Sequence, residues 1–320
     1  MRLATMPDGS PDGRLHLVSR DNTRCAPAQA APTMQAALEE WHRLRPALDE
    51  EYQRLNAGGG VPFDPTAALA PLPRAWAWLD GSAFDNHGAL MDEAFGVKAE
   101  KIPGKPLMYQ GMSDRFLAPR ADVPLPSEED GIDFEGEFGL LTSAVPMGTT
   151  DTGPHIALLV QINDWSLRKL GAAEMKTRFG WIQAKPACAM APVALTPDEL
   201  GPAWAESRIH LPLQVDWNGA RFGAPLGGEM SVGLDLLVAH AAYSRHLPAG
   251  TVIGSGTVSN AAYRKVGSAC IAERRAIEML DFGAARTPFM SFGDRVRMEC
   301  LASDGSPLFG PIDQVVVKAA

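Results

Sequence analysis

The sequence predicts an α+β protein that is mostly β-sheet, with peripheral helices and a small unit at its N-terminus. Short apolar or alternating segments bounded by turn residues outnumber helical segments in the 320-residue chain, and they follow no regular strand–helix–strand rhythm. A stretch rich in glycine and proline over residues 57–73 separates the first segments from the rest. We therefore predict a small N-terminal domain with its linker over residues 1–72 and a main domain over residues 73–320.

The N-terminal unit is predicted to be a hairpin followed by a helix. Residues 2–6 and 14–19 flank a turn rich in aspartate, glycine, serine and proline, which is typical of a β-hairpin. Apolar residues then recur every three or four positions, which predicts an amphipathic helix over residues 32–55 that ends at the glycines of residues 58–60. Pro46 lies inside this helix and is expected to kink it or divide it in two.

The main domain alternates short extended segments with a few helices. The Asn218-Gly219 dipeptide is the strongest short hairpin signal, and a second hairpin is predicted from residues 296–300 and 307–317. The glycine-rich, β-branched residues 250–259 predict a buried strand that another group approaches closely. The other predicted segments are helices over 84–95, 168–179 and 231–247, a helical turn at 197–200 and an extended piece at 106–111.

Composition bounds the class of protein. Hydrophobic residues make up 46% of the chain and charged residues 21%, which is typical of a globular protein with a real core. The net charge of −9, without a basic cluster, argues against a nucleic-acid surface, and no run reaches the roughly 18 apolar residues of a membrane span.

The four cysteines indicate a reduced protein. They are far apart and form no CxxC pair, so they predict neither a zinc site nor a redox motif. With no signal peptide at the start, a cytoplasmic location is predicted, and the last three cysteines are expected to pack in the core. The four residues are Cys25, Cys188, Cys270 and Cys300.

Residues 132–168 carry the densest chemistry. Period-two alternation puts Phe134 and Phe138 on one face of a strand and Glu135 and Glu137 on the other. Two neighbouring carboxylates repel each other, and in a buried cleft this costs stability unless a proton or a cation neutralises them. The alternative is that the glutamates form the solvated face of an edge strand.

A third acid follows the next predicted strand. The apolar run 157–162 ends in Asn163-Asp164, so Asp164 lies at the mouth of a buried strand. Three acids on adjacent strands are typical hard oxygen ligands for Mg²⁺ or Ca²⁺. Asp164 could instead cap the turn that follows it.

Several segments together resemble the fumarylacetoacetate hydrolase family. The specific signal is an ExE strand followed by NDWSxR, and the resemblance covers nearly the whole chain. It implies a mixed β-sandwich or β-roll core, a small N-terminal domain of the kind found in one bacterial branch, and a homodimer. The matching segments are WLDGSAFDNH, PLMYQG, DFEGEFG, INDWSLR, AKPA and LPAGTVIGSGTVSN.

The resemblance also implies site residues. Asp80 and His87 are separated by the same interval as the family's metal aspartate and catalytic histidine. The implied metal is Mg²⁺ or Ca²⁺, with Mn²⁺ as a further candidate, and its ligands are Asp80, Glu135, Glu137 and Asp164. The implied catalytic residues are His87, Arg168, Lys185 and Glu273. The implied substrate-binding residues are Ser82, Tyr109 and Thr257.

Each implied role has a chemical reason. A carbon–carbon bond breaks readily only if the leaving carbanion is stabilised, and a divalent ion together with Arg168 and Lys185 would provide that charge. His87 would activate a water, with Glu273 as the candidate that orients it, although Glu273 could also belong to a plain amphipathic helix. Taken singly, the histidine, the arginine and the lysine are ordinary surface or core residues, and Tyr109 could simply pack.

The substrate pocket departs from the family pattern. Ser82 stands where the family has a substrate-contacting tyrosine, Gly171 replaces a glutamine, and Ala189 replaces a threonine. The leading hypothesis is a hydrolase of a β-diketo acid, fumarylacetoacetate or a related acylpyruvate, in the catabolism of aromatic compounds such as tyrosine. The alternatives are a decarboxylase, isomerase or hydratase of a 2-oxo acid, a catalytically idle metal- or ligand-binding homologue, and a solvated β face without a metal.

Overall fold

Twenty strands, seven α-helices and four 3₁₀ helices make up the regular structure of the described residues, 1–96, 102 and 104–320, in a computed structural model of the chain. The 3₁₀ helices are Glu128–Asp130, Gly153–His155, Pro197–Ala203, which contains the predicted helical turn, and Gly227–Glu229. The strands are β1 (Arg2–Met6), β2 (Arg14–Val18), β3 (Arg24–Pro27), β4 (Val61–Pro62), β5 (Trp78–Gly81), β6 (Met108–Gly111), β7 (Val123–Leu125), β8 (Ile132–Asp133), β9 (Gly136–Thr142), β10 (Ile156–Asn163), β11 (Ser166–Leu167), β12 (Ala189–Met190), β13 (Ala194–Leu195), β14 (Trp204–Ala205), β15 (Arg208–Ile209), β16 (Gln214–Trp217), β17 (Ala220–Gly223), β18 (Val252–Gly254), β19 (Arg295–Glu299) and β20 (Ile312–Lys318).

The helices are short and lie around the sheets. None of them, within the ranges described, is long and apolar enough to cross a membrane. The helices are α1 (Met34–Glu39), α2 (Trp41–Asn56), α3 (Asp85–Phe95), α4 (Arg168–Met175), α5 (Leu234–Ala241), α6 (Tyr263–Val266) and α7 (Ile271–Phe282).

One large mixed sheet forms the centre of the fold. Its strand order is β4-β3-β2-β1-β13-β10-β9-β18-β5-β6, and β12 also pairs with β10. All pairs are antiparallel except β18 with β5. The N-terminal hairpin joins this sheet because Arg2 and Leu3 of β1 pair with Leu195 and Ala194 of β13.

A second sheet, β17-β16-β19-β20-β7, packs against one face of the first. Phe138 and Leu140 of β9 lie in one apolar cluster with Met298 of β19, whereas Leu141 lies in another cluster with Trp41 of α2. Alternate side chains of β9 therefore serve two cores, as period-two geometry requires. The predicted fold, mostly sheet with peripheral helices, is confirmed.

Several local predictions are confirmed. The two N-terminal strands pair as a hairpin, α3 occupies the predicted helix, and β19 pairs with β20. Asn218 and Gly219 join β16 to β17 with φ angles of 50° and 79°, the left-handed values that a tight hairpin turn requires.

The long N-terminal helix breaks at a different residue from the one predicted. The chain leaves helical geometry at Glu40, with φ −114° and ψ 27°, so α1 and α2 are separate helices. Pro46 lies inside α2, which continues past it, so of the two predicted effects of Pro46, a kink or a division, the division does not occur there. The break lets both Leu38 of α1 and Trp41 of α2 enter the core.

One strand and two helices are shorter than predicted. The strand predicted over 250–259 is regular only in β18, since the Gly256 N–H turns towards the carboxylates of Asp80 and Glu137 and Gly256 has a φ of 80°. Helix α4 ends at Met175, and α5 covers only the middle of its predicted range.

Candidate active site

Three acids from three neighbouring parts of the large sheet converge. Asp80 lies in β5, Glu137 in β9, and Asp164 directly after β10, and each offers an oxygen such that the three oxygens lie within 4.8 Å of one another. Because Asp80 is 7% exposed, Glu135 5% and Glu137 0%, the alternative of a solvated glutamate face is wrong.

Gly254 in β18 makes this convergence possible because it has no side chain. Strand β18 pairs with both β5 and β9, so Gly254 lies between the two acid-bearing strands. A Cβ atom on Gly254 would lie 2.4 Å from the Trp78 ring, 2.6 Å from Asp80 Oδ1 and 2.8 Å from Glu137 Oε2. The close approach predicted for this glycine-rich segment is therefore present, and only glycine fits there.

The electrostatics of the three-acid cluster favour a cation. Burial, and then the charge of Asp164, raises the pKa of Asp80 well above its usual range. Burial, and then the charges of Asp80 and Asp164, does the same to the pKa of Glu137. Glu137 Oε1 has no hydrogen-bond partner among the described residues. A hard divalent ion would neutralise these oxygens and give Glu137 Oε1 a partner, so the residues fit such an ion.

Glu135 takes a different partner set from the other predicted ligands. Its Oε1 atom lies 2.6 Å from Lys185 Nζ and 3.3 Å from Arg168 Nη1, and it accepts a 2.5 Å hydrogen bond from Ser166 Oγ. The Thr257 hydroxyl donates to Oε2. Burial alone would raise the pKa of Glu135, but the Arg168 and Lys185 charges hold it well below its usual range. The structure therefore brings together three of the four predicted ligands, with Glu135 beside them on the cationic side.

Lys185 lies between Glu135 and Asp164 of the three-acid cluster. Its Nζ atom lies 2.5 Å from Asp164 Oδ2 and 2.6 Å from Glu135 Oε1. Burial would lower the pKa of Lys185, but the charges of Asp164 and Glu135 outweigh it and raise the pKa. Asp164 also accepts hydrogen bonds of 2.7 Å from Tyr109 Oη and 2.9 Å from Cys188 Sγ. Cys188 is buried, as predicted, but it also donates to a site acid.

Arg168 depends on an acid that sequence reasoning missed. Arg168 Nε donates to Asp133 Oδ2 at 2.8 Å, and Asp133 is fully buried. Asp133 also accepts the backbone N–H groups of Ile271 and Ala272 at the start of α7. It therefore ties the arginine to that helix. The available signal was the alternation itself, because Asp133 precedes Glu135 by two residues on the same face.

The predicted contact between His87 and Glu273 is present. His87 Nδ1 lies 2.9 Å from Glu273 Oε2. Glu273 is fully buried in the first turn of α7, while His87 in α3 is 18% exposed and lines the pocket. A buried carboxylate on Nδ1 fixes the ring orientation and leaves Nε2 as the remaining nitrogen for chemistry.

A pocket of about 720 Å³ lies above these groups. Its polar lining includes eight predicted site residues, Asp80, Ser82, His87, Tyr109, Glu135, Arg168, Lys185 and Thr257. Its apolar lining includes Met91, Phe95, Leu107, Met108, Met175, Trp181 and Phe289. The predicted residues thus share one cavity, with Glu137, Asp164 and Glu273 behind its wall.

Trp181 and Arg275 line the pocket beside the predicted residues, and sequence reasoning did not single out either of them. Trp181 packs edge-to-face on Tyr109 with ring centroids 4.9 Å apart, and Lys185 Nζ lies 5.1 Å and 5.9 Å from the Tyr109 and Trp181 centroids. The signal for Trp181 was its place four residues before Lys185 in GWIQAKPA. Arg275 of α7 also lines the pocket, and no sequence pattern pointed to it.

Solved structures share this fold over the whole chain. A candidate HpcE protein from Mycobacterium smegmatis has 20% identity and a TM-score of 0.71, with 100% of both chains covered. Maleylpyruvate hydrolase from Sphingobium sp. SYK-6, in complex with manganese(II) and pyruvate, has 16% identity and a TM-score of 0.67, also with 100% of both chains covered. The 5-carboxymethyl-2-hydroxymuconate delta-isomerase from M. smegmatis has 16% identity, a TM-score of 0.61 and the same coverage.

Family models match nearly the full length of the chain, whereas no curated protein matches it. The model described as fumarylacetoacetase N-terminal domain 2 matches residues 1–74. The model described as fumarylacetoacetate (FAA) hydrolase C-terminal matches residues 77–317, which is well over half of the chain. The chain therefore belongs to the fumarylacetoacetate hydrolase family.

Proposed function

We propose that the protein is a divalent-metal-dependent hydrolase that cleaves a carbon–carbon bond in a β-diketo acid of the acylpyruvate type. The observation that carries this proposal is that one pocket is lined by Asp80, His87 and two cations, and that the partners of Asp80 and His87 lie directly behind its wall. The manganese and pyruvate named for the maleylpyruvate hydrolase structure support a divalent ion and a 2-oxo acid here.

The metal would be held by Asp80, Glu137 and Asp164, with Glu135 as the proposed fourth ligand. All four are carboxylates, the ligand type that Mg²⁺, Ca²⁺ and Mn²⁺ accept. A bound ion would supply Lewis acidity towards the oxygens of the oxo acid.

The His87–Glu273 pair would hold the proton that hydrolysis requires. Glu273 accepts from His87 Nδ1, so Nε2 is left to take a proton from a water in the pocket. The same nitrogen would return the proton to the leaving carbon. Both steps need a histidine held in one orientation, which the fully buried Glu273 provides.

Arg168 and Lys185 would stabilise negative charge on the leaving fragment. Both line the pocket, and both are held in place by buried acids, Arg168 by Asp133 and Lys185 by Asp164. Because these cations are already oriented, they need little rearrangement when charge develops on the substrate.

A second candidate is an isomerase or decarboxylase of a 2-oxo acid on the same site. The isomerase with the same fold favours it, and so does the loss of family side chains at Ser82 and Gly171, which both line the pocket. An isomerase needs only proton transfer between carbons, which His87 could perform without a hydrolytic water. A homodimer in the cytoplasm remains our prediction for either activity.

The test is a substrate panel with purified protein and Mg²⁺ or Mn²⁺. Acylpyruvates are followed by loss of diketone absorbance, oxaloacetate by release of CO₂, and hydroxymuconate-type diacids by the shift of the double bond. We expect acylpyruvate cleavage that stops with EDTA and falls strongly in His87→Ala. If no acylpyruvate is cleaved with metal present, the hydrolase proposal is wrong.

A further inference from the structure

We propose that Arg275 binds a second anionic group of the substrate, so that the pocket selects acids carrying a carboxylate at each end. This inference rests on the proposed function because it names the substrate class of the same pocket. Arg275 lies on α7 one turn after Ala272, and both residues line the pocket. The same helix holds Glu273, so the helix that orients the histidine also presents a cation to the substrate.

Arg275 differs from the other pocket cations in having no carboxylate partner. Arg168 lies 2.8 Å from Asp133, and Lys185 lies 2.6 Å or less from two acids. Among the described residues no acid forms a salt bridge with Arg275, whose Nη1 donates instead to the backbone carbonyl of Thr287. A guanidinium that lines an apolar pocket without a counter-charge is a natural partner for a carboxylate of the ligand.

The guanidinium is held in place rather than free to move. Its central carbon lies 4.6 Å from the centroid of the Phe289 ring, which also lines the pocket. The segment that carries Thr287 is itself fixed, because Glu278 accepts hydrogen bonds from the Arg286 N–H and from the Thr287 N–H and hydroxyl at 2.5 to 2.8 Å. A pre-oriented fork of donors loses little entropy when it binds a planar carboxylate.

The size and lining of the pocket suit a substrate with two charged ends and an apolar chain between them. Asp80, Glu135, Arg168 and Lys185 supply polar lining, and Met91, Met175 and Phe289 supply apolar lining. The volume of about 720 Å³ is in the range that holds ligands well above the size of a three-carbon oxo acid. An unsaturated or aliphatic chain would lie along the apolar wall, with its distal carboxylate at Arg275.

The neighbouring arginine provides a matched control. Arg274 donates to the backbone carbonyl of Phe222 at 2.7 Å, and its central carbon lies 4.6 Å from the Phe222 centroid. Arg275 makes the same two kinds of contact with Thr287 and Phe289, but only Arg275 lines the pocket. Replacing either arginine by methionine therefore removes one charge, one hydrogen bond and one ring contact.

The experiment compares succinylpyruvate with its distal methyl ester, using the metal-loaded full-length protein. We expect the wild type to prefer the diacid in kcat/KM. Arg275→Met should lower kcat/KM for the diacid by about 10- to 100-fold, mainly through KM, because a charge-assisted hydrogen-bonded pair is lost. The same change should alter kcat/KM for the ester less than about threefold. For the diacid, Arg275→Lys should have a kcat/KM between those of the wild type and Arg275→Met.

A binding measurement separates this inference from the hydrolase proposal. Calorimetry compares 2-oxoadipate with 2-oxohexanoate in the wild type, Arg275→Met and Arg274→Met. If neither acylpyruvate is cleaved but 2-oxoadipate binds more tightly and only Arg275→Met removes the difference, the hydrolase proposal fails and the role of Arg275 stands. The role of Arg275 would be overturned if the wild type bound 2-oxoadipate and 2-oxohexanoate with equal affinity, or if the two methionine variants changed these affinities equally.

Discussion

Replacing Glu137 with glutamine should stabilise the metal-free protein while removing its affinity for divalent ions. Glu137 is fully buried, its Oε1 atom has no partner among the described residues, and it faces the carboxylates of Asp80 and Asp164. Glutamine has nearly the same shape and keeps an acceptor for the Gly256 N–H. The substitution therefore removes repulsion from the metal-free protein and a ligand from the metal-bound one.

The magnitude follows from the spacing of the three acids. Two unit charges 4.8 Å apart repel by about 3.5 kcal/mol at an effective dielectric constant of about 20. Burial and the neighbouring acids raise the pKa of Glu137, so the metal-free protein relieves part of this repulsion by holding a proton. We therefore expect a net gain in the free energy of unfolding of about 1–3 kcal/mol at pH 8.

The pH dependence has a defined sign. Because the folded-state pKa values of Asp80 and Glu137 are raised, the stability that they contribute is fully present below their unfolded values of about 4 and is lost as pH rises through the folded values. Metal-free wild type should therefore become less stable between pH 5 and pH 8. Glu137→Gln should weaken that decline.

The assay is urea unfolding in EDTA at pH 5 and pH 8, with calorimetric titration of Mn²⁺ at pH 8. We expect Glu137→Gln to lose at least about 100-fold in Mn²⁺ affinity, more than is usual for residues that only support a ligand. Glu50→Gln, an exposed change in α2, is the control and should alter neither quantity. A variant that is less stable than wild type in EDTA at pH 8, or that binds Mn²⁺ like wild type, would refute the reasoning.

Three further substitutions test other parts of the site. Glu273→Gln should lower kcat by about 100-fold through loss of histidine orientation, and unchanged Mn²⁺ affinity in calorimetry should show that the metal site is intact. Lys185→Met leaves Asp164 without its ammonium partner, so urea unfolding in EDTA should show a loss of about 3–5 kcal/mol, and a loss below 1 kcal/mol would contradict the buried ion pair. Gly254→Ala places a methyl group against Trp78 and should cost about 3 kcal/mol in the same assay, together with Mn²⁺ affinity; a silent change would contradict the close packing of β18.

Local pattern was enough to predict much of the sheet. Turn dipeptides such as Asn218-Gly219 marked the hairpins. Period-two alternation placed Glu135 and Glu137 together, although regular β9 begins only at Gly136 and Glu135 forms an isolated bridge with Cys270. Alternation cannot show whether a face is exposed to solvent, because burial depends on residues that are distant in the sequence. Here Asp80 and Asp164, which come from other parts of the sheet, lie beside Glu137, and Lys185 and Arg168 lie beside Glu135.

The difference between the two glutamates could not be read from their neighbours in sequence. Lys185, which holds Glu135, lies 50 residues further along the chain, and Arg168 reaches the site from the start of α4. Only the fold decides which carboxylate meets a cation and which meets another acid. Arg275 could not be predicted either. The apolar periodicity of a helix shows which face packs in the core, but it does not show which residues on another face line a cavity.

Exchange of pyruvate methyl protons in D₂O tests the central claim most directly. Hydrolase, decarboxylase and isomerase activities on this site all require proton transfer at the carbon beside a 2-oxo group, so ¹H NMR of pyruvate measures the step they share. We predict that the protein with Mg²⁺ accelerates loss of the methyl signal, that EDTA stops it, and that Glu137→Gln and His87→Ala slow it. Exchange no faster than with Mg²⁺ alone would contradict a metal-dependent oxo-acid site.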